Sequence, residues 1–349
     1  MRMIGLLSGV AAVALAGGAA TVGPAPVHAS EVVEWSFSMW GPPRAVTRGA
    51  EAVADYVEEQ SGGNFTIEIH YGEAISPARQ NLDGLKIGAF ESAQICTSYH
   101  PGKNPVSTVL DLPFLPMASF RELVHVHDAF SEHELFVNEM AGWGARYLAS
   151  TALPLYEFMG VGDAPRELED WQGMRVRALG GMGEAMATIG AVPTTMPAPE
   201  VYQSLERGVV QAASFPYSYS HGAYRLHEVS DWYTEGLQPG SAFCLTLTAI
   251  DAHDALPEEY KEMLRDARPL AYDALEAAYV EADERFRPLF NEHLELIEIS
   301  PEERQEFIEV AGEPVWAEWV EQYEDRFDSR AVLDFVLEKA EEAAAEYGS

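Results

Sequence analysis

From residue 31 onward the sequence alternates between strand-like and helix-like patterns. Apolar and polar side chains alternate in the strand-like segments, and apolar side chains recur every three or four residues in the helix-like segments. Ser76 and Pro77 predict a helix start, with Ser76 as the N-cap and Pro77 in the first turn. The predicted order is strand, helix, strand, helix, strand over residues 34–39, 44–60, 64–71, 76–88 and 89–97. This order predicts a parallel sheet with crossover helices.

A second set of alternating patterns follows a predicted helix over residues 119–140. Its strands are predicted at 146–150, 155–159, 174–178, 192–196, 209–215, 241–250 and 294–299, and its helices at 184–189, 198–207, from Ser300 onward, and at 331–347. A long helix is predicted over residues 256–294, with a break or kink near Arg285 because Pro288 removes a main-chain donor. No linker rich in Pro, Gly or Ser separates the two α/β units, so the chain is predicted to cross between them more than once.

The first 29 residues have the pattern of a cleaved signal peptide. One positive charge precedes an apolar run over residues 4–20, and Val27-His28-Ala29 matches the small residues before a signal-peptidase site. The alternative is a transmembrane anchor, but the run is rich in Gly and Ala and at the short edge of the roughly 20 residues that a span needs. Residues 1–29 are therefore predicted to be removed, and the mature protein is predicted to be exported.

The charge balance limits the possible partners. The chain has 56 acidic residues against 22 Lys and Arg, a formal net charge of -34. Such a surface repels phosphate groups, which argues against sequence-independent nucleic-acid binding. A hydrophobic content of 47% is too high for a disordered chain and is enough for substantial cores.

Recognisable catalytic, metal and cofactor motifs are absent from the sequence. It contains no Gly-x-Ser-x-Gly elbow, no Walker loop and no His-Glu-x-x-His. His125 and His127 are two residues apart on a predicted helix and point to different faces, which does not favour a shared metal. The chain is therefore predicted not to be an enzyme and to use no cofactor or metal. The alternative is a secreted hydrolase or lyase that uses Glu157 with His100 or His221 as acid and base.

The two cysteines leave one question open. Cys96 and Cys244 both lie in apolar strand-like runs. In an oxidising compartment they are able to form a disulfide, and as buried thiols they would act as small hydrophobic residues. The sequence alone does not decide between these two states.

Three segments in a fixed order carry a resemblance to a known family. They are residues 170–177 (DWQGMRVR), 190–193 (GAVP) and 200–211 (EVYQSLERGVVQ), with supporting matches at 83–88 and 112–115. As an ordered set they resemble the substrate-binding proteins of TRAP (tripartite ATP-independent periplasmic) transporters, the DctP-like family. The resemblance covers nearly all of residues 31–349.

The resemblance implies a two-lobed α/β periplasmic solute-binding protein, type II-like, with a long helix spanning both lobes. Lobe I is then expected over residues 30–153 plus about 242–284, and lobe II over 154–241 plus about 285–349 with the C-terminal helices. The family closes its lobes around a small solute and delivers it to a membrane permease. The implied partners are a small DctQ-like subunit and a large DctM-like subunit, with the receptor itself a monomer.

The resemblance also assigns a ligand contact to Arg177. In this family the second arginine of the Gly-x-[Lys/Arg]-x-Arg strand usually grips the ligand carboxylate, and Arg177 occupies that position. A guanidinium offers a planar fork of donors that matches a carboxylate. The alternative from the residues alone is that Arg177 pairs with an acidic side chain in its own lobe.

Departures from the family pattern bear on the ligand. Where relatives carry Glu-Asn-Pro, with the Asn reaching the ligand, this chain has Ser214-Phe215-Pro216, and where some relatives have a further arginine it has Glu157. The predicted site joins aromatic walls, two opposite charges and one first-lobe contact: Trp40, Tyr99, Phe215 and Tyr217, then Arg177 and Glu157, then Arg79. Each aromatic residue is alternatively an ordinary core residue.

These residue types leave two ligand classes open. Arg177 with aromatic walls favours an organic acid that has an apolar or aromatic tail. Glu157 with an aromatic cage favours a small amine held by cation–π attraction. The family default is the carboxylate.

Overall fold

Two mixed β-sheets organise residues 31–348, which are the residues that the computed structural model describes. The predicted signal peptide lies outside the described residues. The strands are β1 (Val33–Ser38), β2 (Phe65–His70), β3 (Ser92–Cys96), β4 (Ala145–Ser150), β5 (Tyr156–Gly160), β6 (Arg175–Arg177), β7 (Val192–Thr194), β8 (Ala212–Pro216), β9 (Trp232–Glu235), β10 (Cys244–Ala249) and β11 (Glu295–Glu298).

The first sheet has the strand order β2-β1-β3-β10-β4. β1 pairs in parallel with both β2 and β3, as the alternating pattern predicts. β10 runs antiparallel to both β3 and β4, so the sheet is mixed rather than parallel throughout. The difference arises because a strand from much later in the chain inserts between two early strands, and local sequence patterns do not report such pairings.

The second sheet has the order β11-β9-β5-β8-β6-β7. β6 pairs in parallel with β7 and β8, and β5 runs antiparallel to β8 and β9. Because β10 returns to the first sheet after β5 to β9 have built the second, the chain crosses between the sheets more than once, as predicted. The residue boundaries of the two lobes stay a prediction.

The helices in the described residues are α1 (Arg48–Gln60), α2 (Asn81–Lys86), α3 (Phe120–Ser131), α4 (Glu134–Gly142), α5 (Gly180–Thr188), α6 (Val201–Glu206), α7 (Tyr219–Ala223), α8 (Ile250–Ala255), α9 (Glu258–His293), α10 (Pro301–Ala311), α11 (Glu313–Tyr323) and α12 (Ser329–Tyr347). The single helix predicted over 119–140 is two helices, because the His133 side chain caps α4 by accepting from the amide of Leu135. None of the helices over residues 31–348 has both the length and the apolar composition to cross a bilayer.

The structure confirms one predicted helix N-cap and contradicts another. Ser300 caps α10 and forms a reciprocal capping box with Glu303, as its sequence indicates. Ser76 does not cap the second helix. Pro77 takes the N-cap position of a short 3-10 turn before α2, and Glu73 accepts the amide of Ala78 at 2.8 Å instead.

The long helix α9 has 36 residues and continues through Pro269 and Pro288, so a break near Arg285 is wrong and a kink there stays a prediction. At about 1.5 Å per residue it is roughly 54 Å long. Its first half packs into the core of the first sheet through Tyr260 and Leu264. Its last turns pack into a core of the second sheet through Phe290. One rigid element therefore contacts the cores of both sheets.

A separate buried cluster lies where the two sheets approach each other. It combines Trp40 and Tyr99 from loops after β1 and β3 with Tyr156 from β5 and Tyr219 from α7. A disulfide joins Cys96 to Cys244, which are paired neighbours on β3 and β10, and this decides the state that the sequence left open. The cluster places aromatic side chains from both sheets around a shared space.

Candidate ligand-binding site

A small cavity lies between the two sheets. Arg177, Phe215, Trp40 and Tyr99 line it, so four of the seven predicted site residues come together there. The Cys96–Cys244 disulfide forms part of the same wall. Ligand sites of this class are concave and mostly apolar, with a few placed polar groups.

Arg177 stands at the end of β6 and is held by main-chain carbonyls. Its Nε and Nη2 donate to the Met196 oxygen at 3.2 and 3.1 Å, and Nη1 donates to the Ser214 oxygen at 2.6 Å. The guanidinium carbon lies 4.6 Å from the centre of the Phe215 ring. Only 1% of the residue is exposed, so its orientation is fixed by buried partners.

The Arg177 guanidinium has donors to spare and no counter-charge. Of its five N–H groups, three are used by the carbonyls, which leaves one on each terminal nitrogen without an acceptor among the described residues. No described carboxylate forms an ion pair with it, so the alternative of an acidic partner in its own lobe does not match the structure. A buried cation without a counter-charge is costly, and an anionic ligand in the cavity would offset that cost.

The aromatic walls come from both sides of the cavity. Trp40 and Tyr99 meet edge to face with ring centres 5.6 Å apart, and the Tyr99 hydroxyl accepts the amide of Ala198 at 3.1 Å. Phe215 faces Tyr224 at 5.6 Å between ring centres. Flat apolar walls of this kind suit a flat apolar ligand body.

Three predicted site residues lie outside this cavity: Glu157, Tyr217 and Arg79. The Glu157 carboxylate accepts from the Thr234 hydroxyl at 2.7 Å and from the Gly236 amide at 2.8 Å, which directs it toward β9. Burial raises the pKa of Glu157 to about 7. Tyr217 stacks on Tyr233 and, with Glu157, lines a neighbouring cleft.

Arg79 is exposed and its Nη2 donates to the Thr195 oxygen at 3.2 Å. This contact joins the segment before α2 to the residue that follows β7. Arg79 and Thr195 both line a different cleft. The structure therefore gives Arg79 a main-chain partner rather than a place at the cavity wall.

Several lining residues were not predicted from the sequence, among them Arg44, Gln94, Tyr156, Tyr219 and Tyr224. Tyr219 is two residues after Tyr217, in the same Tyr-Ser-Tyr-Ser run that follows β8. The aromatic composition of that run was the available signal, and it does not distinguish Tyr217 from Tyr219. Arg44 follows Gly41-Pro42-Pro43, a turn after β1 that gave no reason to single out the arginine.

Two buried polar atoms at the cavity lack a hydrogen-bond partner among the described residues. They are the amide oxygen of Gln94, a residue 1% exposed, and the hydroxyl of Tyr224. Burial raises the pKa of Tyr224 to about 12, so its hydroxyl keeps its proton and remains a donor. Because buried polar groups are nearly always paired, these atoms are ready contacts for a polar ligand group.

The acid–base pairs of the enzyme hypothesis do not form. His100 and His221 are buried, and desolvation lowers their pKa to about 4 and about 3. Among residues 31–348, neither ring nitrogen of either histidine bonds to the Glu157 carboxylate. No group of three or more potential metal-binding side chains occurs in that range either.

Comparisons with known proteins agree with this architecture. The family model described as bacterial extracellular solute-binding protein, family 7 (DctP) matches residues 37–322. A monocarboxylate 2-oxoacid-binding periplasmic protein from Nostoc sp. is 24% identical over 254 residues, or 67% of this chain and 65% of the relative. The chain covers 65% and 50% of the length of this and another curated relative, a solute-binding protein from Verminephrobacter eiseniae.

Two solved structures share the fold. A TRAP solute-binding protein from Rhodoferax ferrireducens in complex with copurified benzoate has a TM-score of 0.80 and 20% identity, covering 90% of this chain and 99% of that one. A marine metagenome TRAP solute-binding protein in complex with 3-hydroxybenzoate has a TM-score of 0.80 and 20% identity, covering 92% and 100%. The two-sheet α/β architecture, the ordered motifs and the family match lead to one conclusion: this chain belongs to the DctP-like family of TRAP solute-binding proteins.

Proposed function

We propose that this protein is the extracytoplasmic receptor of a TRAP transporter and that it binds an organic acid with the carboxylate on Arg177. One observation carries the proposal, the buried Arg177 guanidinium that faces an aromatic cavity without a counter-charge among the described residues. The free N–H on each terminal nitrogen supplies a fork for the two carboxylate oxygens. The same contact offsets the cost of burying the cation.

The walls of the cavity favour an acid with a flat apolar or aromatic body. Phe215 replaces the ligand-contacting Asn of many relatives, so an apolar face stands beside the guanidinium. Trp40, Tyr99 and Tyr224 extend that apolar surface on the other sides. The benzoate and 3-hydroxybenzoate in the two solved relatives are ligands of this type.

The charges at the cavity oppose a small amine. No acidic residue among positions 31–348 lines it, whereas Arg44 and Arg177 both do. The Glu157 carboxylate, which the amine hypothesis requires, binds Thr234 and Gly236 instead. An ammonium ion would therefore meet two positive charges and no negative one.

Capture would proceed by closure of the lobes that carry the two sheets, with the helix α9 contacting both. The lobes proposed are residues 30–153 with about 242–284, and residues 154–241 with about 285–349. The loaded receptor would then deliver its solute, chemically unchanged, to a permease of small DctQ-like and large DctM-like membrane subunits. Binding without turnover would take place in the periplasm after removal of residues 1–29.

A ligand screen of the mature protein tests this function. The protein is unfolded and refolded to remove copurified solute, then examined by thermal shift and isothermal titration. Benzoate, 3-hydroxybenzoate, pyruvate and succinate form the acid panel, and choline and ethanolamine form the amine panel. We expect one-to-one binding of an aromatic acid that is recovered unchanged. Binding of an amine with no acid bound, or conversion of the solute, would contradict the proposal.

A further inference from the structure

A second cleft adjoins the binding cavity and is lined by four arginines. Three chain segments form it: residues 43–51, residues 219–225 and residues 278–286 of α9. Its arginines are Arg44, Arg48, Arg225 and Arg285. Arg44 and Tyr219 line both this arginine cleft and the binding cavity, so the two spaces meet at these residues.

Two of the four arginines lack an acidic partner among the described residues. Arg44 donates through Nη1 to the carbonyls of Trp40 and Pro42 at 2.8 and 2.9 Å, so Nε and Nη2 stay available. Arg285 is exposed, with its guanidinium carbon 5.0 Å from the Phe286 ring centre. Neither forms an ion pair with a described carboxylate, so their charges project into the cleft.

The acidic groups at the arginine cleft do not cancel its charge. Arg48 pairs with Glu51 at 2.8 Å, and Arg225 pairs with Glu228 at 2.7 Å outside the lining. Glu281 is the other acidic lining residue beside Glu51. With Glu51, Glu281 and Glu228 counted, four positive charges meet three negative ones, which leaves a net charge of +1 at a cleft of a chain whose formal net charge is -34.

The opposite side of α9 has the reverse polarity. Helix positions 278, 281, 282 and 285 line the arginine cleft, whereas positions 276, 280, 283 and 287 line the cleft that contains Glu157 and Tyr217. The helical period places these two sets on opposite faces. The acidic lining residues of the Glu157 cleft are Glu157, Glu235, Glu276 and Asp283, and its one arginine, Arg287, pairs with Glu235. One helix thus separates the arginine cleft from a mainly acidic cleft.

We propose that the arginine cleft is the entrance through which an anionic solute reaches Arg177, and that its charges accelerate capture. The strongly acidic surface repels an approaching carboxylate, and so does the mainly acidic cleft on the other side of α9. A local positive field in a cleft raises the concentration of an anion at that point and increases its association rate. This inference rests on the proposed function, because it requires an acidic solute.

Stopped-flow measurement of benzoate binding, followed by intrinsic fluorescence at low ionic strength, tests the entrance. The variants are Arg285→Gln and the double variant Arg48→Gln/Arg285→Gln, which leave Arg44 and the cavity intact. Arg265→Gln is the matched control, because Arg265 lies on the same helix and is roughly 30 Å from position 285 at about 1.5 Å per residue. Over that distance the attraction between unit charges in water changes a rate by only about 1.3-fold, even without screening by salt.

We expect the association rate constant to fall about twofold for each cleft charge removed. This factor corresponds to the attraction between two unit charges about 10 Å apart in water. The dissociation rate constant of the cleft variants should stay at the wild-type value. The association rate constant of Arg265→Gln should stay close to that of the wild type. In 1 M salt, where the Debye length is about 3 Å, the difference between variants should disappear.

Three results would overturn the proposed entrance, and they differ in what they imply for the receptor function. An unchanged association rate in the double variant would overturn the entrance while leaving the receptor function intact. A change confined to dissociation would also overturn it, because the arginines would then hold bound solute rather than attract free solute. If the wild type bound no acid from the panel, the proposed function would fail and the entrance with it.

Discussion

Arg177 and Phe215 form a stacked pair, with the guanidinium carbon 4.6 Å from the ring centre. The two residues stand on neighbouring parallel strands, and Ser214 fixes them by accepting from Arg177 Nη1 and donating to its carbonyl. The ring supports one face of the guanidinium and leaves the edge free for an anion. The pairing of β6 with β8 thus places the Arg177 guanidinium beside the apolar ring of Phe215.

Replacing Phe215 by Leu should weaken the binding of aromatic acids more than that of aliphatic acids. Leucine keeps an apolar side chain but removes the ring that stacks on Arg177 and faces the ligand. We expect the affinity for benzoate to fall by about tenfold, and that for succinate by less, since aromatic and cation–π contacts contribute about 0.5–2 kcal/mol. Titration calorimetry gives both values.

Phe158→Leu serves as the control for this change. Phe158 is fully buried on the adjacent strand β5 but does not line the cavity. Its loss should lower the free energy of unfolding by about 1–3 kcal/mol while leaving benzoate affinity unchanged. If both variants lost affinity equally, the ring of Phe215 would have no special role at the site.

The buried carboxyl of Glu157 should make stability fall as pH rises. Its pKa is raised to about 7 in the folded protein from 4.5 in a free side chain, with burial as the main cause. Between these pH values the folded protein binds more protons than the unfolded chain, so the free energy of unfolding decreases with pH. Glu157→Gln removes this contribution and should flatten the pH profile by roughly 1–3 kcal/mol between pH 4.5 and 8.

Urea unfolding at several pH values measures the Glu157 effect as a difference between wild type and variant. The exposed Glu306→Gln is the control, because it makes the same chemical change without burial. A pH profile for Glu157→Gln that parallels the wild type would show that this carboxyl is not the source.

The disulfide between Cys96 and Cys244 should add substantially to stability. It joins residues 148 positions apart in the sequence and restricts the unfolded chain accordingly. Replacing both cysteines by alanine should lower the free energy of unfolding by about 2–5 kcal/mol. Thiol titration of the unreduced, denatured wild type should find no free thiol, and two free thiols would contradict the bond.

Much of the fold followed from local patterns in the sequence. The parallel pairing of β1 with its neighbours, the long helix α9 and the capping box at Ser300 all depend on residues close together in the chain. The insertion of β10 between β3 and β4 did not follow from local patterns, because its partners lie 95 to 156 positions away and any apolar strand would show the same pattern. Pro288 did not end α9, which continues to His293.

Site residues were predictable where a sequence motif defined their position. They were less predictable where only the aromatic composition of a segment indicated them. Arg177 and Phe215 occupy defined positions in a strand motif, and both line the cavity. Tyr217 was chosen from a run with two tyrosines, and Tyr219 is the one at the cavity. Glu157 is next in sequence to the lining residue Tyr156. Its carboxylate nevertheless lies outside the cavity, where it accepts hydrogen bonds from Thr234 on β9 and from Gly236 after it.

The most direct test compares two arginines of the same strand. Arg175 is exposed and its side chain donates to the carbonyls of Val209 and Gly208, whereas Arg177 is buried at the cavity. Isothermal titration of benzoate into Arg177→Ala and Arg175→Ala, with folding checked by circular dichroism, separates the two roles. We predict that Arg177→Ala weakens binding by about 100-fold or more while Arg175→Ala binds like the wild type. Wild-type affinity in a folded Arg177→Ala protein would contradict the central claim.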